Sequence, residues 1–428
     1  MRAPATGLGY APDLMDERSQ VALMGALERL YDSALVQTAW PAAFDAKKSG
    51  RTIPNEEIEV VVLPLARIGA PTGDSDVRVF IAYYSHPRSA TGPCLLASPP
   101  LVVKIGQHDK LKHELDVVRT WPTLASSISS HLALPLHLDG HDPAAAVLIA
   151  PFQSQYTPTN DGRRHGVILK DLWKLLHDPE ELLMNSSWST VARHVAHALE
   201  TMNHVHRNNL AEYTRQTATY RTAYDWYLRD THVAGGKPGF RQHIPRMTFG
   251  DDDEVVAFGK TWRNPCRVIS DLINDVSFEG VFGPVHGDLH PKNIVLGYGN
   301  VAHIIDFGWA RTNQHVIVDY ALLDVNMRGI TLPSQMSEAH ALMMGQFIDP
   351  RQDPLDLPPV LRERAKLIKE QIWQRLDEKA LVENWRSEYL IPFFILAYGL
   401  LVYLDSARNQ PALIASILAA GHRIWETA

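Results

Sequence analysis

A chain of 428 residues with 41 Lys and Arg against 48 Asp and Glu carries a formal net charge of −7, which argues against a general nucleic-acid binder and is compatible with a cationic small-molecule partner. Hydrophobic residues make up 45% of it, enough for a sizeable core in two or three lobes. Two cysteines, Cys94 and Cys266, form no zinc pattern and at most one bridge, and residues 1–13 hold no long apolar run, so the expectation is a cytoplasmic protein without a signal peptide.

In chain order, the first predicted element is an amphipathic helix near 16–33, followed by a polar connection. Residues 60–65 and 76–84 read as strands joined by the turn 67–75, and 101–105 is a third strand carrying one lysine, Lys104. A helix over 110–119 places Leu111, Leu115 and Val118 on one face and Glu114 ten residues after Lys104, with Asp109 and Asp116 as competing carboxylates. Further strands are expected near 132–138 and 144–150, then a hinge at Pro151-Phe152-Gln153 and a polar, turn-rich linker over 153–166. This divides the chain into an extension (1–57), a small lobe (58–153) and a large lobe (154–428).

The large lobe reads as mainly helical. A long helix over 189–207 carries Val191, Val195, Ala198, Leu199, Met202 and Val205 at helical spacing, decorated by His194, His197, His204 and His206 with no partner that argues for zinc. An insertion of about 75 residues follows, holding the aromatics Tyr220, Tyr224, Trp226 and Tyr227 and the acidic run 251–254. Helices close the chain; the apolar run 389–404, broken by Pro392 and Gly399, is shorter than the roughly 20 residues a bilayer needs and reads as buried, with no membrane partner expected.

The most informative stretch is His286 to Gly308, HGDLHPKNIVLGYGNVAHIIDFG. If 294–296 pairs with 301–305 as a hairpin, Asn293 enters the first strand and Asp306 leaves the second, so both side chains end on one rim. Phosphoryl transfer needs a carboxylate to orient a hydroxyl and hard oxygen ligands for Mg²⁺; Asp288 fits the first role, Asn293 and Asp306 the second. Ten residues separate Gly308 from Asp319, too few for the long activation segment of a protein kinase, which favours a small-molecule acceptor.

This run resembles the catalytic segment of the aminoglycoside phosphotransferase and choline kinase group, whose usual form is H-G-D-x-H-x-x-N followed by I-D-F/W-G. The resemblance implies an α+β, protein-kinase-like two-lobed fold with a small mainly β lobe and a large mainly helical lobe with a helical insertion. It also implies ATP and Mg²⁺ as cofactors and transfer of the γ-phosphate to the hydroxyl of an aminoglycoside-, sugar-, nucleoside- or choline-like acceptor. By that analogy Asp288 is the catalytic base, Asn293 and Asp306 hold Mg²⁺, Lys104 meets the α- and β-phosphates, Glu114 holds Lys104, and His286 braces the loop. Asp319 caps the next helix or braces the loop. Gly69, Gly73 and Ser75 are placed against the phosphates, though the turn departs from G-x-G-x-x-G and reads equally as an ordinary hairpin turn. Ile149, Ala150 and Phe152 neighbour the base or belong to the β core. His290 touches the γ-phosphate or packs. A nucleotide-binding pseudokinase or regulatory module of a larger bacterial assembly is the alternative; oligomeric state stays open.

Overall fold

The computed structural model describes residues 16–32, 59–66, 77–85, 101–121, 131–152, 156–160, 165–177, 185–207, 214–228, 240–273, 276–297, 301–377 and 386–427. A small lobe is built on one seven-stranded sheet: β1 Glu59–Ala66, β2 Arg78–Ser85, β3 Leu101–Gly106, β4 His137–Asp139, β5 Ala146–Pro151, β6 Tyr156–Asn160 and β7 His165–Leu169, in the order β4-β5-β3-β2-β1-β7-β6. All neighbours are antiparallel except β1 and β7.

Strand alternation decides what lies on each face. Leu101, Val103 and Ile105 of β3, with Val147 and Ile149 of β5, point to one side, where Leu23, Ala26, Leu27 and Leu30 of helix α1 (Glu17–Asp32) cover them. The out-of-phase residues Ala146 and Leu148 meet Leu111 and Leu115 of helix α2 (His108–Thr120) on the other side. Lys104 is out of phase with Val103 and Ile105, so it shares the α2 face. The N-terminal helix therefore packs into the small lobe's core.

Two expectations are corrected here. The stretch 153–166, read as a linker, holds β6 and the start of β7, and β7 pairs with β1 in parallel through Leu65 opposite Val167 and Ala66 opposite Ile168. Of the strand expected over 132–138, only 137–139 joins the small sheet. Pro135 supplies no N–H for a ladder, and Leu132 instead bridges Ile304 of the large lobe, with Ala133 N donating to Ile304 O and Ile304 N to His131 O, both at 2.9 Å.

The large lobe surrounds a helix, α3 (Asn185–His206), whose Val191, Val195, Ala198, Leu199, Met202 and Val205 are all buried. The insertion is mixed and not purely helical: strand β8 (Thr214–Thr219), helix α4 (Tyr220–Leu228), a helix at Phe240–Phe249, a hairpin of β9 (Glu254–Ala257) and β10 (Lys260–Arg263), and a helix at Pro265–Ile273. Tyr220, Tyr224 and Tyr227 are core residues of α4, and Asp251, Asp252 and Asp253 are solvated. Strand β11 (Ser277–Val285) runs between β8 and β14 (Arg311–His315), and β12 (Ile294–Leu296) pairs with β13 (Ala302–Ile304).

Helix α5 (Ile317–Val325) is buried along its whole length. Its Asp324 takes two hydrogen bonds from Arg328 (2.7 and 3.0 Å), one from Trp373 Nε1 (3.0 Å) and one from the Tyr389 hydroxyl, all within the core. The helix Arg386–Asp405 is long and apolar enough by composition to cross a membrane, but 72% of its apolar window is buried inside the lobe. A helix with apolar residues on every side is an ordinary buried core helix.

Candidate active site

The catalytic-loop segment is positioned from both ends. Strand β11 delivers Val285 opposite Arg311 of β14, so the residues just before His286 lie beside those just after Gly308. Gly287 then turns with φ +78°, and a Cβ there would stand 2.4 Å from the Trp309 carbonyl oxygen, so no side chain fits. Asp319, in the first turn of α5, reaches back: its carboxylate accepts the N–H of His286 (3.0 Å) and of Gly287 (2.9 Å), and His206 Nε2 lies 2.9 Å away. Burial pushes the Asp319 carboxyl up, but the His206 hydrogen bond, the His206 and His286 charges and the Gly287 amide outweigh it and hold it below the ordinary value. Asp319 thus braces the loop.

His286 is fully buried; its Nε2 meets the Ile305 carbonyl at 2.9 Å and its ring packs edge-on against Phe307 at 5.2 Å. The expected hairpin forms, with Ile294 opposite Ile304, Val295 opposite His303 and Leu296 opposite Ala302, and Ile305 N donates to Asn293 O at 3.0 Å. Asn293 and Asp306 therefore flank its open end. Asn293 Nδ2 donates to the Asp288 carbonyl (2.9 Å) and contacts Asp288 Oδ2 (3.4 Å), which turns Asn293 Oδ1 away; that buried oxygen has no hydrogen-bond partner among the described residues. A buried, unsatisfied amide oxygen next to a carboxylate is a donor set suited to a hard divalent cation. Asp306 adopts φ +69°, a left-handed backbone that non-glycine residues rarely take.

From the small lobe, Lys104 Nζ lies 2.8 and 2.9 Å from the two Glu114 oxygens and 2.7 Å from Asp306 Oδ1, while Glu114 Oε1 also accepts the Phe307 N–H at 3.2 Å. Burial alone would favour neutral Lys104; Asp306 and Glu114 reverse that and raise its pKa above the ordinary lysine value. Glu114, and neither Asp109 nor Asp116, is the lysine's partner from α2; Asp116 pairs with Lys112. A strand lysine, a helix glutamate, a buried loop behind His-Gly-Asp and an Asp-Phe-Gly turn thus meet at the junction of a small sheet lobe and a helical lobe.

The fold is two-lobed, a small sheet lobe set on a mainly helical lobe.

The family model named Ternary complex associated domain 9 matches residues 189–398, just under half of the chain. Solved structures similar to this chain include a thermostable mutant of the aminoglycoside phosphotransferase APH(4)-Ia in apo form (15% identity, TM-score 0.41, covering 90% of this chain and 98% of that one). The ethanolamine kinase of Plasmodium vivax is another (11% identity, TM-score 0.36, covering 92% and 88%). No curated protein matches the chain in sequence.

Of the remaining candidates, Asp288 has a side chain about one-third exposed, 3.5 Å from His290 Nε2. His290 Nδ1 accepts the Lys292 N–H at 3.2 Å and so caps the short turn Pro291–Asn293. Ile149 is buried on the α1 side of the sheet with its carbonyl accepting from Leu136 N (2.8 Å), whereas Ala150 and Phe152 are half-buried at the exit of β5. Gly69, Gly73 and Ser75 lie outside the described residues. Sequence reading singled out His206 only as one of four histidines on the long helix and missed its role, because nothing local marks the last residue of α3 as the partner of a carboxylate in α5. It also missed Arg311, whose role depends on the meeting of both lobes.

Proposed function

We propose that the protein is an ATP- and Mg²⁺-dependent phosphotransferase that moves the γ-phosphate to a hydroxyl group of a small molecule. The observation that supports this best is the convergence of Lys104 and Glu114 from one lobe with Asp306 and Asn293 from the other, around a loop that leaves Asp288 accessible. Lys104, held extended by Glu114, meets the α- and β-phosphates as a point charge. Asn293 Oδ1 and Asp306 hold Mg²⁺, which when bound neutralises charge on the phosphate oxygens. Asp288 aligns the acceptor hydroxyl and takes its proton; Asn293 Nδ2, bonded to the Asp288 backbone, keeps that carboxylate in register.

Only ten residues lie between Gly308 and Asp319, and they are occupied by Trp309, Ala310, β14, Val316 and the first two residues of α5, which leaves no peptide-docking segment. This favours a small acceptor, of aminoglycoside, sugar, nucleoside or choline type, bound against the insertion in a cytoplasmic setting. The test is transfer of labelled γ-phosphate from Mg·ATP into pooled aminoglycosides, nucleosides, sugars and amino alcohols, with the product identified by mass. Transfer that requires Asp288 supports the reading; no transfer or hydrolysis in any pool contradicts it.

A second reading, a nucleotide-binding module of a larger assembly, is favoured by the description of the matched family as associated with a ternary complex. It predicts Mg·ATP binding without turnover and recovery of the chain with protein partners.

A further inference from the structure

Next to the Lys104–Glu114 pair, helix α2 makes a second contact with the large lobe. Arg311, the first residue of β14 and paired with Val285 at the mouth of the catalytic loop, places Nη1 2.8 Å from His113 Nε2, and His113 immediately precedes Glu114. The guanidinium also lies 5.6 Å from the ring of Trp226, on insertion helix α4, and that ring is 5.9 Å from Trp309. Arg311 and His113 are each half-buried. Burial lowers the pKa of Arg311, and no carboxylate among the described residues reverses the shift.

We propose that Arg311 is a positioning residue: by donating to His113 it latches α2 onto the large lobe, so that Glu114 holds Lys104 in line with Asp306 only while the latch is closed. The chemistry of the contact sets its condition. A guanidinium only donates, so His113 Nε2 must carry its lone pair and the imidazole must be neutral. Once His113 is protonated, two cations face each other with no acceptor between them, and the latch opens. The groups facing the ring are Arg311 and the Ala310 carbonyl from the large lobe, and Asp116 and Glu114 from α2 itself. Burial and then Arg311 depress the imidazole; Ala310, Asp116 and Glu114 oppose this and are outweighed, so the latch is closed near neutrality and opens on acidification. Trp226, whose ring lies 5.6 Å from the same guanidinium, joins the insertion to the latch.

The latch rests on the phosphotransferase reading only for what the Lys104–Glu114 pair is used for, and its test is separate. Amide hydrogen exchange of residues 108–120 is followed by mass spectrometry in the full chain at pH 8 and pH 5, corrected for intrinsic rates, in wild type, Arg311→Met and His113→Gln. The glutamine keeps an acceptor for Arg311 and cannot be protonated. Expected is roughly tenfold faster exchange in Arg311→Met at both pH values, the factor carried by one hydrogen bond to a charged group. Wild type should lose protection only at pH 5, and His113→Gln should keep it at both. Unchanged protection in Arg311→Met, or acid-induced loss in His113→Gln equal to that of wild type, overturns the latch. Mg·ATP affinity is measured on the same samples. If the exchange pattern holds but none of the proteins binds Mg·ATP, the latch stands and the phosphotransferase reading falls.

Discussion

Lys104 Nζ stands 2.7 Å from Asp306 Oδ1, so a strand of the small lobe and the first residue of Asp306-Phe307-Gly308 are joined directly across the cleft. Glu114 completes the triangle by accepting both from Lys104 and from Phe307 N. One cation therefore serves two carboxylates on different lobes. Its removal leaves both without their main counter-charge.

Lys104→Met should for that reason act on stability as well as on binding. With Lys104 and Glu114 both buried, stranding the carboxylate costs about 3–5 kcal/mol. Calorimetric unfolding should show the loss, and Glu114→Gln in the Lys104→Met background should recover part of it. Titration with Mg·ATP should find affinity reduced in both.

Asp319→Ala removes the acceptor of two loop amides and the partner of His206, all buried, and should also cost about 3–5 kcal/mol. The sign of its pH dependence follows from a folded pKa below the ordinary 3.8: the stabilisation is fully present above that value and is lost as pH falls through the folded pKa. Acid unfolding of the wild type, followed by circular dichroism, should therefore show a steep loss below pH 3.8 that is shallower in Asp319→Ala.

Gly287→Ala tests the loop geometry without removing any polar group. A methyl group 2.4 Å from the Trp309 carbonyl, on a backbone at φ +78°, forces the segments on either side of the site apart. Transfer should fall by about two orders of magnitude, as expected for displacement of a catalytic group by about 1 Å, with the folded state retained. Near-normal kinetics in this variant would contradict the role given to the turn.

Arg328→Leu should destabilise the large lobe alone. It leaves Asp324 buried with only the Trp373 and Tyr389 donors, a cost of about 3–5 kcal/mol. Asp324→Asn, made in the same background, should recover part of that stability because the uncompensated charge is gone, while the Met344 and Phe347 carbonyls that Arg328 also serves stay without it. Thermal unfolding of the two variants checks both statements.

The parts of this molecule that were legible in its sequence are those governed by short-range rules. The phase of β3 sends Lys104 to the side opposite Val103 and Ile105, the helix spacing brings Glu114 to meet it, and the Gly-rich turn folds Asn293 and Asp306 to one rim. What was not legible depends on partners remote in the chain. The parallel pairing of β1 with β7 leaves no local signature, and a stretch with Pro158, Asn160 and Gly166 reads as a linker because its pairing is made through the backbone. An amphipathic α1 announces an apolar stripe but not the sheet that covers it. His206 gives no hint that its ring finds Asp319, since the two meet only after α3 and α5 pack.

In the proposed reaction Asp288 activates the acceptor while nucleotide is held elsewhere. The most direct measurement compares Mg·ATP affinity and single-turnover γ-phosphate transfer in wild type and Asp288→Asn, using the acceptor found in the pooled screen. Expected are an affinity unchanged within about threefold and a transfer rate reduced by roughly 10²–10⁴, the contribution of a positioned general base. Transfer at close to the wild-type rate in Asp288→Asn would contradict it.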